Sequence, residues 1–242
     1  MIVEIDAGNS RIKWRVGLQG VYESRGTVIN EDLELFFDEL DKILSIKKIF
    51  ISSVANLSFL SRMSRYSFKR KCLLFIAKTQ KTTAGVICGY KDPSLLGIDR
   101  WLGIVAAYNC YKSPCVIVDA GTMLTIDIVN GIGKHLGGYI LPGIEISREM
   151  INSNAAEIEL GKVHTDYMVN LSPGKSTEEC VTRGEFLMIR SLVRFIIEDL
   201  NEEKKVKIIT TGGNGRELVN VLGKSACYEP ELILDGLKLM DS

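Results

Sequence analysis

The sequence predicts an α/β protein built from two similar halves. Two observations carry this. Short apolar runs of strand type alternate along the chain with segments of helical periodicity. The opening stretch Ile2-Val3-Glu4-Ile5-Asp6-Ala7-Gly8-Asn9 also returns as Val116-Ile117-Val118-Asp119-Ala120-Gly121-Thr122, an offset of 113 residues in a chain of 242. Each copy is an apolar strand ending in Asp-Ala-Gly, followed by more strand-like sequence (Arg11–Leu18 and Leu124–Val129). One Asp-x-Gly is ordinary turn chemistry; two at half-chain spacing point to duplication. The expected halves are 1–112 and 113–242.

Strand character falls at Ile2–Ile5, Ile49–Ser52, Leu73–Ala77, Cys115–Asp119, Leu124–Val129 and Val206–Thr210. Helical periodicity covers Asp32–Leu44, where Leu33, Leu35, Phe36, Phe37, Leu40, Ile43 and Leu44 make one broad apolar stripe. It returns at Arg100–Tyr111, at about Ile144–Asn154, and over Thr177–Asn201.

Composition bounds the function. With 30 Lys and Arg against 30 Asp and Glu the net charge is zero, which argues against a strongly basic nucleic-acid binder. The charge is unevenly placed. Residues 1–41 hold nine acids and four bases, whereas residues 42–91 hold eleven bases and no acid. A charge run is usually a solvated face, but this one ends one residue past Tyr90, so part of it can steer anionic substrates. No apolar run reaches the ~18 residues of a membrane span, and Met1–Asp6 does not read as a secretory signal. The six scattered cysteines read as reduced thiols of a cytoplasmic protein. His135 and His164 read as ordinary polar residues.

The chemistry-bearing residues cluster at turns. Gly8, Asn9 and Ser10 in the first turn, and Gly121 and Thr122 in the second, are small enough for backbone N–H groups to approach a phosphate. Asp6 and Asp119 close their strands where a carboxylate can hold a hydrated Mg²⁺ or another cation beside phosphates. Lys13 leaves the first turn within reach of a phosphate oxygen. A third cluster, Thr210-Thr211-Gly212-Gly213-Asn214-Gly215, follows a strand, and a helix N-terminus there would suit a nucleotide. A fourth, Gly137-Gly138-Tyr139-Ile140-Leu141-Pro142-Gly143, precedes a helix. No GxxxxGK[ST] P-loop occurs, and no GxGxxG follows the first strand.

Two Asp-x-Gly hairpins with a late Thr-Gly-Gly resemble the actin-like ATPase superfamily. Within it the chain resembles the type III pantothenate kinases. The matching pieces, in order, are Asp6-Ala7-Gly8-Asn9-Ser10-Arg11-Ile12-Lys13; Gly97-Ile98-Asp99-Arg100; Asp119-Ala120-Gly121-Thr122; Gly137 to Gly143; Ser176-Thr177 followed by Gly184; Thr211-Gly212-Gly213-Asn214; and the closing Glu231–Leu237. The resemblance implies a duplicated actin-like (ribonuclease H-like) fold with the active site in the cleft between its halves. It implies ATP-dependent phosphorylation of pantothenate to 4′-phosphopantothenate, the first step of coenzyme A synthesis. By resemblance, Asp6 to Lys13 form the first ATP-phosphate loop with Asp6 near Mg²⁺. Thr122, Gly212 and Gly213 serve the nucleotide, and Asp119 holds a monovalent cation, K⁺ or NH₄⁺. Tyr90, Gly97, Ile98, Arg100 and Thr177 line the pantothenate site, and Asp99 is the general base. A homodimer is implied, and no nucleic-acid or membrane partner.

Alone, Asp99 reads as the N-cap of a helix starting near Arg100, and Thr177 as the cap of the long helix. Gly97 and Arg100 in register favour the functional reading of Asp99. Met123, where the family usually has a small residue, could narrow the second turn. The competing functions are another actin-like small-molecule (sugar) kinase, which a substrate panel would reveal, and a non-enzymatic regulatory factor, for which only the basic segment speaks.

Overall fold

The computed structural model describes residues 1–18, 21–54, 57–154, 160–161, 170–200 and 205–240. The chain divides into two compact units, Met1–Ala106 with Leu232–Ser242, and Ala107–Glu231. His164, expected as an ordinary polar residue, and Asn201, the expected end of the long helix, lie outside the described residues.

In the first unit β1 (Ile2–Ala7), β2 (Arg11–Leu18) and β3 (Val21–Ile29) form an antiparallel meander. After α1 (Leu33–Asp41), β4 (Lys48–Ser53) pairs parallel to β1. After α2 (Leu57–Arg70), β5 (Leu73–Ile76) pairs parallel to β4. The order is β3-β2-β1-β4-β5. A short hairpin, β6 (Thr82–Thr83) and β7 (Val86–Ile87), a 3₁₀ turn at Pro93–Leu95 and the helix α3 (Ile98–Tyr111) follow.

The second unit repeats this plan. Its meander is β8 (Cys115–Ala120), β9 (Met123–Val129) and β10 (His135–Pro142). The helices α4 (Ile144–Asn154) and α5 (Thr177–Leu200) lead to β11 (Lys207–Thr211), parallel to β8, and α6 (Gly215–Leu222) leads to β12 (Ala226–Tyr228), parallel to β11. The order β10-β9-β8-β11-β12 matches the first sheet position for position. The sequence echo is thus a repeat of topology. The last helix, α7 (Leu232–Lys238), packs in the first unit against β1 and β4.

The pleat decides what each strand buries, because successive side chains face opposite sides of a sheet. Val3 and Ile5 of β1, Ile12, Trp14 and Val16 of β2, and Ile49 and Ile51 of β4 meet Phe36 and Leu40 of α1 and Phe59 and Met63 of α2 in one core. Phe36 anchors it, edge-on to Trp14 at 5.5 Å and tilted on Phe59 at 5.7 Å. In the second unit Val116, Val118, Ala120, Leu124 and Ile126 pack on Phe186, Ile189, Val193 and Ile196 of α5.

The strands and helices expected from periodicity all form, with ends shifted by a few residues. Several elements lacked a clear signal. Mostly exposed, β3 has no clean alternation. The buried stripe of α2 is narrow (Phe59, Met63 and Ser67) and lies among bases. Its Arg62 pairs with Glu34 at 2.8 Å and lies 4.4 Å over the Phe37 ring, beside an open groove of about 230 Å³ lined also by Arg65, Tyr66 and Lys69. None of the six cysteines is in a disulfide. Among the described residues no helix is long and apolar enough to cross a membrane.

On the sheet face opposite the first core, Arg15 is 1% exposed. Its guanidinium donates to Glu4, its partner across the β1–β2 ladder, and at 2.8 Å to Asp235 of α7, 220 residues away. Burial pushes the Glu4 carboxyl up from its ordinary value, with Arg15 opposing. Removing one member of a buried pair strands the other charge, at a cost of about 3–5 kcal/mol. Arg15→Met should therefore lower stability by about 3 kcal/mol in urea unfolding, and adding Glu4→Leu should recover most of the loss.

Candidate active site

The first turn is set by the pairing around it. Ala7 lies opposite Ile12, and the intervening turn closes with the Gly8 N–H donating to the Arg11 carbonyl at 3.1 Å. The same pleat that turns Ala7 and Ile12 into the core turns Asp6 and Lys13 to the other face, directly across the ladder from each other. Asp6 is buried and Lys13 half-buried, while Asn9, Ser10 and Arg11 are exposed. Ile12 gives its side chain to the core, so only its backbone faces the turn.

The Gly97-Ile98-Asp99-Arg100 motif lies at the start of α3. Asp92 caps the 3₁₀ turn, accepting from the Ser94 N–H at 2.9 Å, and Leu96 and Gly97 lead into the helix. Asp99 sits in the first turn of α3 rather than at its cap, and its carboxylate accepts the Arg100 N–H at 2.8 Å. The positive end of the helix favours negative charge there. A Cβ on Gly97 would stand 2.7 Å from Asp99 Oδ1, so glycine leaves the carboxylate its place. The Arg100 Nη1 donates to the Tyr90 hydroxyl at 3.1 Å, which joins two of the expected site residues ten positions apart. Behind them the fully buried Trp101 donates from Nε1 to Thr83 Oγ1 at 3.2 Å, tying α3 to the β6–β7 hairpin. No sequence motif marks that tie.

In the second unit three distant segments converge. The turn after β8 closes with the Gly121 N–H on the Met123 carbonyl at 3.2 Å. Gly143 presses on this turn so closely that a Cβ would lie 2.3 Å from the Thr122 oxygen. Gly212, at φ +83°, does the same to Asp119: a Cβ would meet Oδ1 at 2.4 Å and the Ala120 oxygen at 2.6 Å. The Asn214 N–H donates to the Ala120 carbonyl at 3.0 Å, just before α6 begins. The helix after Gly212-Gly213 forms as expected, and the Gly137–Pro142 part of the fourth cluster is the strand β10. Met123 is 39% exposed and turned out of the turn, so it does not narrow it.

Thr177 is the first residue of α5 and is exposed. The capping falls to Ser176, whose Oγ accepts the Glu179 N–H at 3.2 Å. His135 is wholly buried, with Nε2 3.1 Å from Asp127 Oδ1.

The donor set fits the ions that the resemblance implies. Among the described residues no three His, Cys, Asp or Glu side chains gather to cage a metal. One buried carboxylate, such as that of Asp6, is enough for Mg²⁺, which keeps waters and takes substrate phosphates as ligands. At Asp119 the carboxylate and the Ala120 backbone carbonyl both stand close to Gly212. Carboxylate and carbonyl oxygens of this kind can replace the hydration shell of K⁺.

A model of the type III pantothenate kinase family matches residues 2–199. The chain belongs to the type III pantothenate kinase family. A type III pantothenate kinase from Marinobacter nauticus is 34% identical over 100% of this chain and 98% of its own length. Among solved structures, a protein described as a conserved Baf family transcriptional activator from Campylobacter jejuni is similar at TM-score 0.61 and 24% identity, covering 98% of this chain and 95% of that one. Acetate kinase from Entamoeba histolytica is similar at TM-score 0.54 and 12% identity over the whole of both chains. These likenesses establish the fold, the duplicated actin-like one.

A buried cluster at the start of α5 escaped the sequence reading. Arg148 of α4, 4% exposed, donates to Thr182 Oγ1 at 3.0 Å and approaches Glu178 at 3.6 Å and Glu185 at 3.8 Å. Both carboxylate oxygens of Glu185 are buried without a hydrogen bond, and burial pushes this carboxyl up to about 7, with Arg148 opposing. The unfolded chain releases that proton near 4.5 and the folded one near 7, so stability falls as pH rises through this window. Between pH 5 and pH 8 the parent should lose about 2 kcal/mol relative to Glu185→Gln, read as converging or crossing thermal melts.

Proposed function

We propose that the chain transfers the γ-phosphoryl group of ATP to the primary hydroxyl of pantothenate, giving 4′-phosphopantothenate for coenzyme A synthesis. The observation that carries this reading is the arrangement at the head of α3 in a chain of this family. There Gly97 makes room for the Asp99 carboxylate while Arg100 is held on Tyr90.

In this reading Asp99 accepts the hydroxyl proton as the oxygen attacks phosphorus. Phosphoryl transfer runs through a loose transition state, so the protein contributes mainly position and charge. Arg100 pairs with an anionic group, either the pantothenate carboxylate or the transferring phosphoryl oxygens. Tyr90, Gly97, Ile98 and Thr177 line the pantothenate site. Asp6 to Lys13 hold the ATP phosphates, with Thr122, Gly212 and Gly213 serving the nucleotide. Residues 1–112 thus carry the first phosphate loop and the substrate motif, and residues 113–242 the second loop and the glycine cluster. Mg²⁺ beside Asp6 and K⁺ or NH₄⁺ beside Asp119 would neutralise phosphate charge. The reaction belongs in the cytoplasm, where ATP is the ready donor.

A homodimer is part of the proposal. On α5, Met188 (53% exposed) and Phe195 (61% exposed) lie seven residues apart on one helix face, with Leu187 beside them, and such apolar exposure supports a protein interface. Light scattering should give a mass near twice the chain's, and Phe195→Glu should shift it toward the monomer.

The functional test is ADP release with pantothenate, ATP, Mg²⁺ and K⁺. Asp99→Asn should lower kcat by about 10²–10⁴. Undiminished turnover would remove Asp99 from the role of base.

A further inference from the structure

We infer that Asn30 is the positioning residue of the first phosphate turn, a role that no sequence motif marks. The inference rests on the reading of Asp6 to Lys13 as the ATP-phosphate loop.

The two opening hairpins differ by one residue. Between the last paired residues of the first, Ala7 and Ile12, lie Gly8-Asn9-Ser10-Arg11. Between Ala120 and Leu124 of the second lie only Gly121-Thr122-Met123. The closing bonds correspond, Gly8 N–H to Arg11 carbonyl and Gly121 N–H to Met123 carbonyl. In both hairpins the residue just after the third strand then donates its backbone N–H to the carbonyl one place earlier. The Asn30 N–H reaches Ser10 at 3.1 Å, and the Gly143 N–H reaches Thr122 at 3.1 Å.

Asn30 and Gly143 therefore occupy one structural position, and the extra residue explains why they differ. At Gly143 a Cβ would lie 2.3 and 2.5 Å from the Thr122 and Gly121 oxygens, so the short turn admits no side chain. The longer turn admits one and uses it. Asn30 Nδ2 donates to the Gly8 carbonyl at 2.9 Å and to the Asn9 carbonyl at 2.6 Å. One residue thus holds three consecutive carbonyls, those of Gly8, Asn9 and Ser10. Because each trans peptide is planar, the N–H of a unit points opposite to its carbonyl. The N–H groups of Asn9 and Ser10 are therefore aimed away from Asn30, side by side, as the donors of an anion-binding nest must be.

The amide is needed for its polarity as well as its size. A carboxylate of the same shape at position 30 would face two carbonyl oxygens with no proton to give.

The test compares Asn30→Ala with Lys13→Ala in steady-state kinetics, varying ATP and pantothenate separately. Each loss of a hydrogen bond is worth a factor of several in binding. Asn30→Ala should raise KM for ATP by about tenfold and leave KM for pantothenate within about twofold of the parent. Asn30→Asp, which keeps the packing volume, should raise KM for ATP at least as much, and it carries the test alone should the alanine variant fail to fold. A rise for Lys13→Ala with no change in KM for ATP for Asn30→Ala or Asn30→Asp would overturn the inference and leave the loop reading standing. No rise for any of the three would overturn the loop reading and the inference with it. Equal rises in both KM values would show a general structural defect and also overturn the positioning role.

Discussion

The strand pleat is the constraint from which the rest of the structure follows. Alternation turns Val3, Ile5 and Ala7 to a packed face and Glu4 and Asp6 to the other, and the antiparallel partner matches this with Ile12, Trp14 and Val16 against Lys13 and Arg15. A slip of one residue would put Asp6 and Arg15 into the aromatic layer around Phe36 and push Ile5 and Trp14 out of it. Hydrophobic burial therefore fixes the register, and the register fixes where the charged groups stand. The second hairpin obeys the same rule, with Val116, Val118 and Ala120 inward and Asp119 on the reverse face. In each unit, the interactions that stabilise the fold also aim its carboxylates.

The second constraint is the close approach of glycine main chain to backbone and carboxylate groups that a side chain would keep at a distance. Gly97 beside Asp99, Gly143 against the second turn and Gly212 against Asp119 each bring main chain to within a distance that a Cβ would forbid. The contacts of Gly143 and Gly212 gather the end of β8, the β10–α4 junction and the β11–α6 turn around the second turn. The phosphate chemistry proposed for the family site relies on such places, since backbone donors can approach an anion closely only where side chains are absent.

Much of this was legible in the sequence, for physical reasons that also explain what was not. Alternation and glycine-flanked turns are short-range signals, so β1, β2, β4, β8, β9 and β11 and the repeat between the halves could be read directly. The edge strand β3 buries too little of itself to alternate. The buried stripe of α2 is only Phe59, Met63 and Ser67, masked by the arginines on its outer side. The partners of Arg148 lie 34 residues away at Thr182, and those of Arg15 lie 220 residues away at Asp235. Asn30 is a plain turn residue until β3 brings it beside Gly8. The candidate residues around Asp99 were legible as a motif, while the tie of Trp101 to Thr83 behind them was not.

The most direct test of the central claim is the chemical identity of the product. With ATP, Mg²⁺, K⁺ and pantothenate, the account predicts one new phosphomonoester by ³¹P NMR and mass spectrometry, on the primary hydroxyl of pantothenate, formed in step with ADP. Phosphorylation of hexoses but not of pantothenate, or hydrolysis of ATP to free phosphate without a phosphorylated product, would contradict it.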